Sequence, residues 1–240
     1  MKIAMTGASG HLGSKVYDFL SAEHEVLRFG RRDSEVSWVL GQVPDEKQFE
    51  GVSAIFHFAW SLRDHERDFD LNVNGTRSIA LLANKLSIPF VFVSSTAVFG
   101  ISKYGDSKLA AERIVSKLNG VVLRIGVIPN ANRSFDCEKS TFFQFIPAIK
   151  SRVHYTEFQG LTDWIESFLN GSLTNEIRIF TVTTGYSLIE ELYSQNYRIR
   201  LYISEKLILF ALTMLSPFFL SFRNMKDSIS AIRSTPKVLI

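Results

Sequence analysis

Two side chains four residues apart, Tyr104 and Lys108 in Tyr104-Gly105-Asp106-Ser107-Lys108, are of the types that do acid–base work at a carbinol or ketone. On a helix such positions share a face, which sets the lysine ammonium beside the phenol. A free phenol titrates near pH 10, and bringing it toward 7 takes roughly 4 kcal/mol of preferential stabilisation of the phenolate. An adjacent cation supplies part of that. Ser95, near the end of the apolar run Phe90-Val91-Phe92-Val93-Ser94-Ser95, would hydrogen-bond the substrate oxygen. Most Tyr-x-x-x-Lys pairs are surface neighbours. This one follows a Ser-Ser strand end in a chain whose opening reads as a nucleotide cradle, and that context makes it specific.

The opening residues are Lys2-Ile3-Ala4-Met5, then Thr6-Gly7-Ala8-Ser9-Gly10-His11-Leu12-Gly13. Glycines at this spacing let backbone pass close to a pyrophosphate and seat it at the N-terminus of the next helix, where unpaired N–H groups and the dipole favour anions. Glycines also serve any tight strand-to-helix turn, so the flanking pattern decides. Val16, Phe19 and Leu20 fall at helical spacing, and 25–29 reads as a second strand, which completes a βαβ unit. The second strand leads into Phe29-Gly30-Arg31-Arg32. Guanidinium groups there would pair with the 2′-phosphate of NADP, whereas Asp33, slightly later, would suit the ribose of NAD. NADP is preferred and NAD stays open. The alternative is that Arg31 and Arg32 are a solvated surface pair.

Strands and helices keep alternating: strands at 36–40, 54–58, 90–94 and 121–125, helices near 74–86 and 105–118. This predicts an α/β fold, a doubly wound parallel sheet with ligands across the carboxyl ends of its strands. Residues 1–130 would form the dinucleotide-binding domain and 131–240 a small C-terminal substrate-binding lobe. The 240 residues can fill a sizeable core, and nothing reads as disordered. A first strand starting so early leaves no room for a secretory signal, and Cys137 has no partner thiol, so the expectation is a cytoplasmic protein. Asp136 and Glu138 beside Cys137 disfavour a thiolate nucleophile. No metal-spaced His/Cys cluster occurs. His57, in an apolar strand end, reads as a satisfied core residue before it reads as catalytic.

Taken together, the residues resemble the NAD-dependent epimerase/dehydratase family, the extended short-chain dehydrogenases/reductases. The motifs run in that family's order: TGASGHLG, HFAW, DLNVNGT, VFVSSTAVFG, YGDSKLAAE and VVLRIG, over residues 1 to about 126. The resemblance implies that Tyr104 is the acid/base, that Lys108 lowers its pKa and holds the nicotinamide ribose, and that Ser95 polarises the substrate oxygen. It also implies that Gly7, Gly10, His11 and Leu12 line the pyrophosphate, with Phe58, Ala59 and Asn72 further along the cofactor. Many members act on nucleotide sugars, which implies such a substrate in glycan precursor synthesis. Three departures stand out. Only Ile101-Ser102-Lys103 joins Gly100 to Tyr104, which predicts an open active site. Val127-Ile128-Pro129-Asn130 replaces the usual diphosphate-contacting signature. Ser95-Thr96-Ala97 lacks the Asp-Glu pair used for dehydration.

Further on, 140–150 and 163–169 read as helices, and 176–182 resembles the late strand of this family, which implies a strand returning to the main sheet. The run LILFALTMLSPFFLSF at 207–222 is uncharged and flanked by cations, too short to span a bilayer and interrupted by Pro217. A buried hairpin or homodimer contact is the preferred reading, with peripheral membrane contact as the alternative. The modest basic excess comes with no recognition motif, so nucleic acid is not an expected partner. Two functional classes remain: a nucleotide-sugar epimerase or ketoreductase, and a non-catalytic NAD(P)-binding regulator of the same fold.

Overall fold

The first strand, β1 (Lys2–Thr6), is a central one, and its continuous apolar run is buried on both faces, as parallel sheets require. In this computed structural model the described residues are 1–31, 33–129, 144–148, 152–173, 178–188 and 200–204, with 224, 226, 227, 229–231 and 234–237 near the end. Helix α1 (His11–Ser21) leads to β2 (Glu25–Gly30) and the two-residue β3 (Val36–Ser37). Then come β4 (Ala54–His57), α2 (Phe69–Leu86), β5 (Phe90–Ser95), α3 (Lys103–Lys117) and β6 (Val121–Ile125). After these, the described elements are β7 (Gln144–Ala148), β8 (Arg152–Tyr155), α4 (Phe158–Leu169), β9 (Ile179–Val182), β10 (Gly185–Leu188) and β11 (Arg200–Ser204).

Seven strands form one sheet in the order β3-β2-β1-β4-β5-β6-β9, and every pairing in it is parallel. The strand order reverses between β1 and β4, so a crevice opens at the carboxyl ends of these two strands. Each face carries its own core. On one face Val16 and Leu20 of α1 and Leu161, Trp164 and Ile165 of α4 pack on Ile3, Phe56 and Leu123. On the other, Ile79 and Ala83 of α2 and Ala111 and Val115 of α3 pack on Ile55, Phe92 and Val122.

The predicted sheet is thus present, and the strand foreseen at 176–182 joins it as β9 beside β6. Since α4 and β9 share the core of the sheet, part of the C-terminal half is built into the first domain's architecture. Two predicted elements differ. The strand at 36–40 stops after Ser37, because Leu40 and Gly41 turn to pack against Gly75 of α2, where a side chain would strike Leu40 Cδ1 at 2.5 Å. The helix at 140–150 is replaced over 144–148 by strand β7, paired in parallel with β11. Pro147 accounts for it: a proline in a helix interior removes one hydrogen bond and clashes with the preceding turn. The apolar run 207–222 and Cys137 lie outside the described residues. Among the described residues, no helix is long and apolar enough to cross a membrane.

Candidate active site

The glycine turn after β1 is shaped by close approach. Gly7 has a left-handed φ of 74°, and a Cβ there would sit 2.5 Å from Ala59 N. A Cβ on Gly13 would sit 2.1 Å from the Gly7 carbonyl oxygen, so neither position accepts a side chain without moving backbone. Gly10 donates its N–H to Gly7 O at 2.9 Å and begins α1 without a side-chain cap. The first amides of α1, those of His11, Leu12 and Gly13, therefore have no partner within their helix. Phe58 and Ala59 follow β4 directly across the crevice and are half-buried.

Beneath this turn, His57 is a structural residue. It is fully buried, Nδ1 meets Thr6 Oγ1 at 2.7 Å, and Nε2 meets Thr76 Oγ1 at 3.0 Å. Burial, with a smaller contribution from Lys108, pushes its pKa down to about 3, so the ring is neutral. Asn72 is likewise committed: its amide accepts from Ser61 N at 2.7 Å and donates to Ser61 O at 3.0 Å. It fixes the stretch after Ala59, where direct cofactor contact was expected. Arg31 is exposed at the end of β2, and Arg32 lies outside the described residues.

Strand β5 and helix α3 bring the three expected catalytic residues together. Ser95 accepts a hydrogen bond from Ala97 N at 3.2 Å, and its hydroxyl stands close enough to Tyr104 to pull the phenol's pKa down. One turn on, Lys108 is 5% exposed. Its ammonium donates to Val93 O at 2.8 Å and lies 3.8 Å from the Trp60 ring centroid and 4.7 Å from that of Phe92. Burial pushes the lysine down to about 7, against the opposing pull of Glu112. The expected lowering of the phenol is not found: burial pushes Tyr104 up to about 12, moderated by Ser95. The reason is geometric, because the lysine's hydrogen bond goes to the β5 carbonyl and its charge faces two rings.

Three groups outside the motif reading also build this site. Glu112, 2% exposed, accepts from Ser94 Oγ at 2.5 Å and pairs with Arg124 at 2.6 Å, which ties the end of β5 to α3 and β6. Its spacing of four from Lys108 was a readable signal. Trp60 stood in plain sight within HFAW, but nothing in the sequence set it over Lys108. The third group is the C-terminal segment. Ser234 accepts from Ile101 N, Ser230 Oγ donates to Ile101 O at 2.8 Å, and Asp227 accepts from Lys103 N at 2.7 Å. The short connection before Tyr104 is therefore tied to the C-terminal segment through its backbone, while Ile101 itself stays 75% exposed. A cavity of about 60 Å³ remains beside Ser95, lined also by Thr96, His154, Ala231 and Thr235. A larger hollow of about 500 Å³ lies at the amino ends of the strands, near Met1 and Ala54, and contains none of these residues.

Known proteins resemble this chain in sequence and in fold. The model of the NAD dependent epimerase/dehydratase family matches residues 3–120. "Sterol demethylase protein B" of Methylococcus capsulatus is 34% identical over 125 residues, which cover 45% of this chain and 38% of that protein. The chain thus spans under two fifths of that relative's length. Among solved structures, dTDP-4-dehydrorhamnose reductase from Bacillus anthracis, in complex with NADP, superposes with a TM-score of 0.69 at 18% identity. That likeness covers 85% of this chain and 84% of the other. UDP-glucuronic acid 4-epimerase from Bacillus cereus, in complex with NAD, gives 0.63 at 16%, over 86% and 88% of the two chains. Through residues 3–120 the chain belongs to the NAD dependent epimerase/dehydratase family.

Proposed function

We propose that this protein is an NAD(P)-dependent oxidoreductase of the extended short-chain type that reduces a carbonyl on a nucleotide sugar. The observation that carries the reading is that Ser95, at the carboxyl end of β5, stands beside the phenol of Tyr104 at the start of α3. A proton donor and a positioning hydroxyl there would lie at the end of a parallel sheet, where such folds bind ligands.

The residues present suit a dinucleotide. Gly7 and Gly13 leave backbone where any Cβ would collide, and the uncapped start of α1 offers amides and a positive dipole end to a pyrophosphate. Gly10, His11 and Leu12 would hold that group, Phe58 and Ala59 would lie along the cofactor, and Arg31 with Arg32 would favour the 2′-phosphate of NADP. When bound, the nicotinamide exchanges hydride with the substrate carbon. Tyr104, held near 12, stays protonated at neutral pH and gives its proton to the substrate oxygen. Ser95 orients that oxygen. Lys108, buried beneath, lies on the same face of α3 to hold a ribose hydroxyl. A donor of this kind favours reduction over epimerisation. No carboxylate stands among residues 95–99, the 3₁₀ turn after β5, so dehydration has no base there.

One observation favours a second reading, a non-catalytic NAD(P)-binding regulator: the ammonium of Lys108 is engaged by Val93 and Trp60. The two separate in one experiment. Purified full-length protein is incubated with NADPH and a panel of nucleotide-linked keto sugars, and NADPH absorbance is followed. The enzyme reading predicts substrate-dependent NADPH loss. Tight NADPH binding with no loss across the panel would favour the regulator.

A further inference from the structure

Residues 102–104 begin a helix whose first three amides are all satisfied, and the manner is unusual. Ser102 Oγ accepts from Gly105 N at 2.9 Å, a local cap. The amides of Lys103 and Tyr104 go instead to one carboxylate more than 120 residues away. Asp227 Oδ1 accepts from Lys103 N at 2.7 Å, and Oδ2 accepts from Tyr104 N at 3.1 Å. The same Oδ2 lies 2.7 Å from His65 Nδ1, and both side chains are largely buried. The ring of His65 in turn faces that of Tyr104, with centroids 5.5 Å apart.

Neighbouring contacts hold this cluster in place. Asn224 Nδ2 donates to Arg63 O at 2.8 Å and to Leu62 O at 3.2 Å, which fastens the loop carrying His65 to the C-terminal segment. Gly100 permits the approach, since a Cβ there would sit 2.4 Å from Ala231 O. His154 Nε2 meets Pro236 O at 2.8 Å, and Ile229 and Ala231 are buried. A carboxylate at a helix N-terminus is favoured by the dipole. Asp227 shows it: burial pushes its carboxyl up, yet the bonds from His65, Lys103 N and Tyr104 N hold it below its ordinary value.

We propose that Asp227 is a positioning residue for Tyr104: by binding the backbone of Lys103 and Tyr104 and the ring of His65 together, it holds the phenol against Ser95. The C-terminal segment then completes the active site, although it lies outside the segment that the family model matches. This rests on the reading of Tyr104 as proton donor, but its test does not use turnover.

The experiment uses the full chain labelled with ¹³Cζ-tyrosine, with Tyr104→Phe identifying the Tyr104 resonance. The wild-type resonance should titrate near 12, a value that burial raises. Asp227→Asn, which keeps the shape and loses the charge, should let the phenol out of its buried place and so move the titration at least one pH unit toward 10. Asp227→Glu should restore most of the difference. NADPH affinity, read by fluorescence quenching, should stay within about twofold, because none of Asp227's bonding partners lies in the glycine turn. An unmoved Tyr104 titration in Asp227→Asn overturns the proposal, even if the melting temperature falls, because a purely structural cap would lower stability alone. Should Asp227→Asn fail to fold, His65→Gln supplies the same reading, with an unmoved titration again overturning it. Failure of the enzyme reading shows differently, as an absence of substrate-dependent NADPH loss with the titration shift intact.

Discussion

The two halves of the crevice are built by different means. On the cofactor side, Gly7, Gly10 and Gly13 act within seven residues, and what they supply is the absence of side chains where backbones must meet. On the substrate side, Tyr104 and Ser95 are set by contacts that reach from β5 to residues 224–236. Short-range geometry leaves a sequence pattern, whereas a long-range clasp leaves almost none. A relative sharing residues 3–120 would keep the cradle while differing in what covers Tyr104.

Four substitutions or conditions sharpen or break this contrast. Glu112→Ala, on the substrate side, should have the largest effect. It leaves Arg124, whose side chain is 14% exposed, without its buried partner, and the cost of such a break is about 3–5 kcal/mol. Urea unfolding measures it, and a loss below about 1 kcal/mol would mean the network does not tie β5 to α3. Gly7→Val comes next. With a left-handed φ and backbone 2.5 Å from the new Cβ, NADPH affinity should fall at least about 100-fold, equivalent to about 3 kcal/mol.

The third concerns pH and the floor between the halves. The folded pKa of His57, about 3, lies below its ordinary 6.5, so the unfolded chain binds the extra proton. Its contribution is full above about 6.5 and is lost as pH falls toward 3, by up to about 1.4 kcal/mol per pH unit. In His57→Gln, thermal unfolding should lose that part of the acid sensitivity. The smallest effect is expected from Arg31→Ala: NADPH affinity down about tenfold, or about 1.4 kcal/mol, with NADH unchanged. Equal binding of both cofactors before and after the change would remove the basis for preferring NADP.

The same contrast governs what could be read from the sequence. The sheet was legible because its strands are buried apolar runs between helical periods, and β9 was foreseen from its likeness to a late strand of the family. Tyr104, Lys108 and Ser95 were legible as a set, since spacing of four and a strand end fix their places. Spacing could not say which acceptor Lys108 chooses, and the carbonyl of Val93 and the face of Trp60 prevail over the phenol. The helix expected at 140–150 failed where apolar content outweighed Pro147. Asp227 and His65 stand 162 residues apart and form no local pattern, so the tie between the short 100–104 connection and the C-terminal segment was invisible.

The central claim is that the phenol of Tyr104 delivers the proton, and Tyr104→Phe tests it most directly. With the keto sugar that consumes NADPH in the wild type, the variant should turn over about 10²–10⁴-fold more slowly while binding NADPH within about twofold of normal. Undiminished turnover in that variant would contradict the account.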